Sequence, residues 1–227
     1  MAMLKLSLAF HVLAFVLFLC FTMSTGSYQY FQFVQQWPPT TCAVSKQPCY
    51  QNPPSIFTIH GLWPSNYSKK AWVANCTRTR FNNSLAPKLE AKLKISWPNV
   101  ENANYTEFWE REWNKHGTCS EQTLDQEEYF QRSHDIWNAY NITNILKKAN
   151  ILPNGAIWNY SDIVSPIKTV TRKMPALRCK PDPTKPKNHK ISHQLLHEVV
   201  LCLHYKGRAL IDCNRTACDN NLKILFQ

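Results

Sequence analysis

Beyond its first 26 residues the 227-residue chain has no apolar run long enough to span a bilayer, which excludes an integral membrane protein there. It has no internal repeat, so solenoid and propeller architectures are excluded. It has no long low-complexity linker, so a string of tethered domains is excluded as well. No CxxC pair occurs: the tight cysteine pairs have six, ten and four residues between them, which argues against a structural zinc site. Acidic residues are scarce, 15 Asp and Glu against 26 Lys and Arg, for a net charge of +11. A balance this positive disfavours cationic partners and favours polyanions.

The amino-terminal 26 residues carry a lone Lys5, an apolar run from Leu6 to Phe21, and small residues at Ser24, Thr25 and Gly26. A charged start, a greasy middle and a small-residue zone read as a secretory signal, with cleavage between Ser24 and Tyr28. Residues 27–227 then form one domain with a net charge of +10 once Lys5 is lost. Of nine cysteines Cys20 lies in the signal, leaving eight. An even number in a secreted chain reads as four disulfides, and spacing leaves on the order of 100 pairings open. Seven Asn-X-Ser/Thr triplets, at Asn66, Asn75, Asn82, Asn104, Asn141, Asn159 and Asn214, suit an extracellular glycoprotein.

The segment Tyr28 to Val34 alternates aromatics with glutamines and predicts a strand; Ile56 to Ile59 predicts a second that runs into His60. Asn104 or Thr106 caps a predicted helix reaching Lys115 and stopped by Gly117. Helices are also predicted over Leu124–Tyr140, Asn144–Ala149 and Ser192–Glu198, the last leading into the strand VVLCLHY, with ALIDC as its partner. The proline-bearing stretch Lys180 to Lys190 predicts a loop. Without a βαβ rhythm, the fold class is α+β: a single domain with a mainly antiparallel sheet packed against several helices.

Two segments carry chemistry. In Phe57-Thr-Ile-His60-Gly-Leu-Trp63-Pro64 a buried strand delivers a histidine in a stiff setting, as general acid–base work requires. In Phe108-Trp-Glu-Arg111-Glu112-Trp-Asn-Lys115-His116-Gly-Thr-Cys119 helical spacing puts Glu112 and His116 on one face with Lys115 beside them. His193 and His197 are spaced like a helical metal pair, but Gln194 stands where a zincin motif needs Glu. His134, His189 and His204 lack supporting context, and Lys147, Lys148 and Lys185 to Lys190 read as solvated faces.

FTIHGLWP and REWNKHGTC resemble the two active-site signatures of the transferase-type secreted ribonucleases, the T2 family. The finer resemblance, on YFQFVQQWP and SWPNV, is to the S-RNases of the rose family, which act in gametophytic self-incompatibility. The resemblance implies attack of a ribose 2′-OH on its own phosphorus, with His116 as base and His60 as proton donor. Lys115 and Glu112 would act on the developing charge, without a metal or other cofactor. It implies substrate contacts from Gln36, Trp63, Asn99, Val100, Phe108 and Arg111, the last standing where many relatives have a third histidine. It implies the pairs Cys42–Cys49, Cys76–Cys119, Cys179–Cys218 and Cys202–Cys213. Single-stranded RNA is the implied substrate, DNA is excluded for want of a nucleophile, and the protein is expected to be a monomer without stable membrane association. The exposed-looking segments Asn66 to Thr79 and Lys180 to Lys190 are the expected carriers of partner specificity, with a pollen F-box protein as reader. The competing readings are a defence or phosphate-scavenging ribonuclease, a catalytically silent storage glycoprotein and a secreted sugar- or wall-binding protein.

Overall fold

The computed structural model describes residues 28–50, 52–68, 72–85, 87–184 and 193–227. The signal segment, His189 and Lys185 to Lys190 lie outside them. In chain order the elements are β1 (Tyr30–Gln36), α1 (Pro38–Val44), β2 (Thr58–Ser65), α2 (Pro87–Ser96), α3 (Tyr105–Lys115), a 3₁₀ turn (Gly117–Cys119), α4 (Gln126–Ala139), α5 (Ile142–Lys148), β3 (Ala156–Trp158), α6 (Tyr160–Thr171), β4 (Ala176–Lys180), β5 (His193–His204), β6 (Leu210–Ile211) and β7 (Lys223–Phe226).

The strands form a seven-stranded sheet of order β2-β1-β5-β7-β3, with β4 and β6 also on β5; only the β5–β7 pairing is parallel. This is an α+β domain with a mainly antiparallel sheet. Four disulfides tie it: Cys42–Cys49, Cys76–Cys119, Cys179–Cys218 and Cys202–Cys213.

The predicted helix over Ser192–Glu198 is overturned, since residues from His193 onward belong to the twelve-residue strand β5. Its Leu-Leu and Val-Val steps fit either period, and pairing with β1, β4, β6 and β7 settles the matter. A strand buried on both faces loses its alternation and looks apolar throughout. Along β5 only His193 and His204 escape full burial. The strand also disposes of the metal pair: at about 3.3 Å per residue, His193 and His197 stand about 13 Å apart.

Helix α6 forms despite an internal Pro166, helped by a capping box between Asn159 and Asp162. The helices press Trp97, Trp109, Trp113, Tyr129 and Phe130 against Phe31, Phe33, Ile59 and Leu62 of the sheet. A buried tryptophan usually finds a partner for its N–H, and here Trp97 and Trp137 do while Trp113 Nε1 has none among the described residues. Trp97 Nε1 donates to the His60 carbonyl at 3.1 Å, and Trp137 Nε1 to the Phe57 carbonyl at 2.8 Å. Tyr129 Oη donates to the Leu62 carbonyl at 2.9 Å. Three helix-side aromatics therefore hold the backbone of the first motif.

Candidate active site

The register of β1 on β2 steps from Val34–Gly61 to Gln35–Ile59, so His60 is the extra, unpaired residue of a β-bulge. A bulge turns a side chain away from ladder alternation. A second irregularity, between Arg178–Glu198 and Cys179–Leu196, leaves His197 unpaired in the same way.

The other histidine ends α3. Asn104 caps that helix by accepting from the Glu107 N–H at 3.0 Å, and at the far end the His116 N–H donates to the Glu112 carbonyl at 2.8 Å. Gly117 follows with no room for a side chain, because a Cβ would meet the Trp113 ring at 2.2 Å. The Cys76–Cys119 disulfide fastens the turn.

Trp63 lies between the two imidazoles. Its ring centroid is 5.0 Å from His60, edge-on, and 5.1 Å from His116, stacked. Trp63 Nε1 donates to the Glu112 carboxylate at 2.9 Å. His116 is fully buried, with Trp72 edge-on to it at 5.7 Å and Lys115 Nζ over the Trp72 ring at 5.2 Å. Neither ring nitrogen of His116 completes a hydrogen bond among the described residues.

The environments push the two imidazoles apart. Burial, and then the charge of Lys115, drive the His116 pKa down to about 3, with the Val73 backbone opposing from a position short of a hydrogen bond. Burial also disfavours charge on His60, but the Glu198 carboxylate, its hydrogen bond and Glu112 outweigh it and raise the pKa above the ordinary histidine value. His60 Nδ1 donates to Glu198 Oε1 at 2.5 Å, which leaves Nε2 to face outward. Glu112 is raised by its burial, against the pull of His60 and Trp63.

Two clefts meet at His60. One, of about 490 Å³, is lined by Trp63, Trp72, Gln32, Arg178, Lys180 and Arg215 among others. The other, of about 230 Å³, is lined by Gln36, Asn99, Val100, Glu101, Phe108 and Arg111 with Thr41 and Ser45. His60, Lys180 and His197 border both. All six residues named for substrate contact therefore line one cleft or the other. Gln36, Asn99 and Val100 are buried in the wall, and Arg111 sits with its guanidinium 5.1 Å from the Phe108 ring.

Sequence reasoning missed Glu198, Arg178, Gln32 and Trp72, and dismissed His197. The available signal was Glu198 itself, a lone carboxylate in the apolar run LLHEVVLCL, where an acid is rare unless paired. The segment Asn66 to Thr79 is less open than its composition predicts: Asn66 and Val73 are buried, and Trp72 bridges back to Ser65. No group of three or more metal-ligating side chains occurs among the described residues.

One imidazole at the meeting of two clefts and a second of opposed environment buried behind Trp63, on a four-disulfide α+β frame, fit a ribonuclease of the T2 type. The chain belongs to the Ribonuclease T2 family, whose sequence model matches residues 28–213, and it is an endoribonuclease. It is 39% identical over 193 residues to ribonuclease MC of Momordica charantia, covering 84% of this chain and 97% of that protein. To ribonuclease S-4 of Pyrus pyrifolia it is 34% identical over 217 residues, covering 90% and 92%. The solved structure of ribonuclease MC1 from bitter gourd seeds superposes with a TM-score of 0.79 at 37% identity, covering 88% of this chain and all of that one. A variant of that ribonuclease has been solved in complex with 5′-UMP.

Proposed function

We propose that this protein cleaves single-stranded RNA by intramolecular transfer, and that the opposed pair His60 and His116 around Trp63 carries the reaction. His116, held neutral, takes the proton of the ribose 2′-OH as that oxygen attacks the adjacent phosphorus. His60, held protonated, gives its Nε2 proton to the departing 5′-oxygen, and the product is a 2′,3′-cyclic phosphate. Two titrating groups pushed in opposite directions supply the acid and the base. Lys115 as a cation, and Glu112 in its protonated form, stabilise or protonate the growing charge on the phosphoryl oxygens. DNA lacks the attacking hydroxyl and is not a substrate. Because Trp72 and Lys115 cover His116, the 2′-OH reaches it once Trp72 is displaced.

The two clefts take the bases on either side of the scissile phosphate. Gln36, Asn99, Val100 and Phe108 serve one base, and Trp63 walls the other. Arg111 holds phosphate rather than moving a proton, since a guanidinium does not titrate near neutrality.

Residues 1–26 direct secretion and residues 27–227 are the mature enzyme, acting outside the cell. The sequons at Asn75, Asn82, Asn104, Asn159 and Asn214 are exposed and open to glycosylation, while Asn66 is buried. The biological role is that of a pistil S-RNase rejecting self pollen, with a pollen F-box protein reading the surface loops; the basic charge favours it. The competing role is that of a defence or phosphate-scavenging ribonuclease, and the identity to ribonuclease MC, which bears no S designation, is at least as high as that to the pear S-4 protein. Expression confined to the style separates the two.

The deciding experiment is RNA cleavage by the purified mature protein in excess EDTA beside His116→Ala. Cyclic phosphate products, intact DNA and loss of activity in the variant are expected. Cleavage that dies with EDTA, or survives the substitution, overturns the mechanism.

A further inference from the structure

Glu198 belongs to none of the motifs, yet it is the group that His60 touches. It sits mid-strand on β5, paired with Gln36 of β1 and Arg178 of β4, and its side chain is only 5% exposed. Oε1 accepts from His60 Nδ1 at 2.5 Å, and Oε2 accepts from Arg178 Nη1 at 3.0 Å. Arg178 is itself anchored, with Nη2 donating to Gln32 Oε1 at 2.5 Å and its guanidinium 4.8 Å from the centroid of the Trp63 ring. A buried carboxylate costs several kcal/mol to desolvate and is retained only where partners satisfy it. Here both oxygens are used, and the bulges at His60 and His197 flank the arrangement.

We propose that Glu198 is the positioning residue for His60: its carboxylate accepts a hydrogen bond from Nδ1–H, fixes the ring so that Nε2 faces the meeting of the two clefts, and is itself held by Arg178. This rests on the reading of His60 as proton donor. The logic is that of a carboxylate orienting an imidazole and stabilising its cationic form. Other charged groups face His60 from each neighbouring element: His197 on β5, Arg178 and Lys180 on β4, and Arg111, Glu112 and His116 at α3. Glu198 alone among them shares a hydrogen bond with the ring.

The test compares the mature protein with Glu198→Gln, Glu198→Asp, His60→Ala and the double variant His60→Ala/Glu198→Gln. Near-UV circular dichroism and thermal unfolding check that each folds. For Glu198→Gln, kcat falls about tenfold or more, less than the loss on removing a general acid, while KM barely moves. The alkaline limb of the kcat/KM profile, and the His60 imidazole titration read by NMR, both move down by about one unit or more. Glu198→Asp recovers part of the loss, and Glu198→Gln adds nothing once His60 is alanine. An unmoved His60 titration and alkaline limb, or a full additional loss in the double variant, overturns the proposal. Activity persisting in His60→Ala overturns the proton-donor reading instead, and the NMR titration still reports whether Glu198 governs the imidazole.

Discussion

The indole of Trp63 donates to the carboxylate of Glu112 across 2.9 Å, joining two motifs 49 residues apart in sequence. Between them there is space for a hydrogen and nothing more at Gly61. A Cβ there would meet Trp63 Nε1 at 2.2 Å and Glu112 Oε2 at 2.3 Å. Gly61→Ala therefore breaks this bond and shifts Trp63, the spacer between the imidazoles. The substitution should lower stability by about 1–3 kcal/mol, as overpacking does, and reduce kcat/KM more than tenfold. Thermal unfolding and initial rates check both, and an active, equally stable variant contradicts the packing argument.

Removal of either imidazole tests the division of labour. His60→Ala and His116→Ala should each reduce kcat/KM by about 10²- to 10⁴-fold, the usual contribution of a positioned acid or base. Binding of a mononucleotide, measured by calorimetry, should change far less, because the clefts keep their walls.

The pH–rate profile should be a bell with widely separated limbs. Activity needs His116 neutral, and its pKa is pushed to about 3, so the acid limb lies well below 6.5. Activity also needs His60 protonated, and its pKa is raised, so the alkaline limb lies above 6.5. A bound phosphate favours the charged form of both rings, so the limbs of kcat should sit higher than those of kcat/KM. Steady-state rates from pH 3 to 9 decide this.

Stability should follow the same groups with a definite sign. Below 6.5 the unfolded chain protonates His116 while the fold resists until about 3, so acid weakens the fold across that window. Glu198, held at about 2 by His60, its hydrogen bond, His197 and Arg178 against the effect of burial, stabilises above its unfolded value near 4.5 and loses that contribution as pH falls to about 2. His60 has the opposite sign: its contribution is complete below 6.5 and disappears as pH rises through its raised value. Urea midpoints should therefore peak near pH 6.5 and fall towards pH 3.

The disulfides should differ in worth by loop length. Cys76–Cys119 closes a separation of 43 residues and Cys42–Cys49 one of 7. Chain entropy assigns them about 4 and about 2 kcal/mol, so replacing the first pair with alanines should cost more than replacing the second. The first replacement should also reduce activity, since it frees the turn after His116. Denaturant titrations of the two variants compare the costs.

Much of the site could be read from the chain because its chemistry is local. His60 lies in one unbroken motif, and Glu112, Lys115 and His116 lie in another, where helical spacing places them together. The Asn104 cap and the stop at Gly117 are likewise short-range effects. Cysteine number and the excess of basic residues were equally plain, although spacing could not choose the pairs. Tertiary structure alone decided the rest. The segment His193 to Glu198 has a period that suits a helix, and only hydrogen bonding to β1, β4 and β7 makes it part of β5. Once it is a strand, Glu198 arrives beside His60 from 138 residues away, and Arg178 and Gln32 close round it. Local sequence specifies what a segment can form, but an ion pair across a sheet depends on register, and register is set by the whole buried face at once.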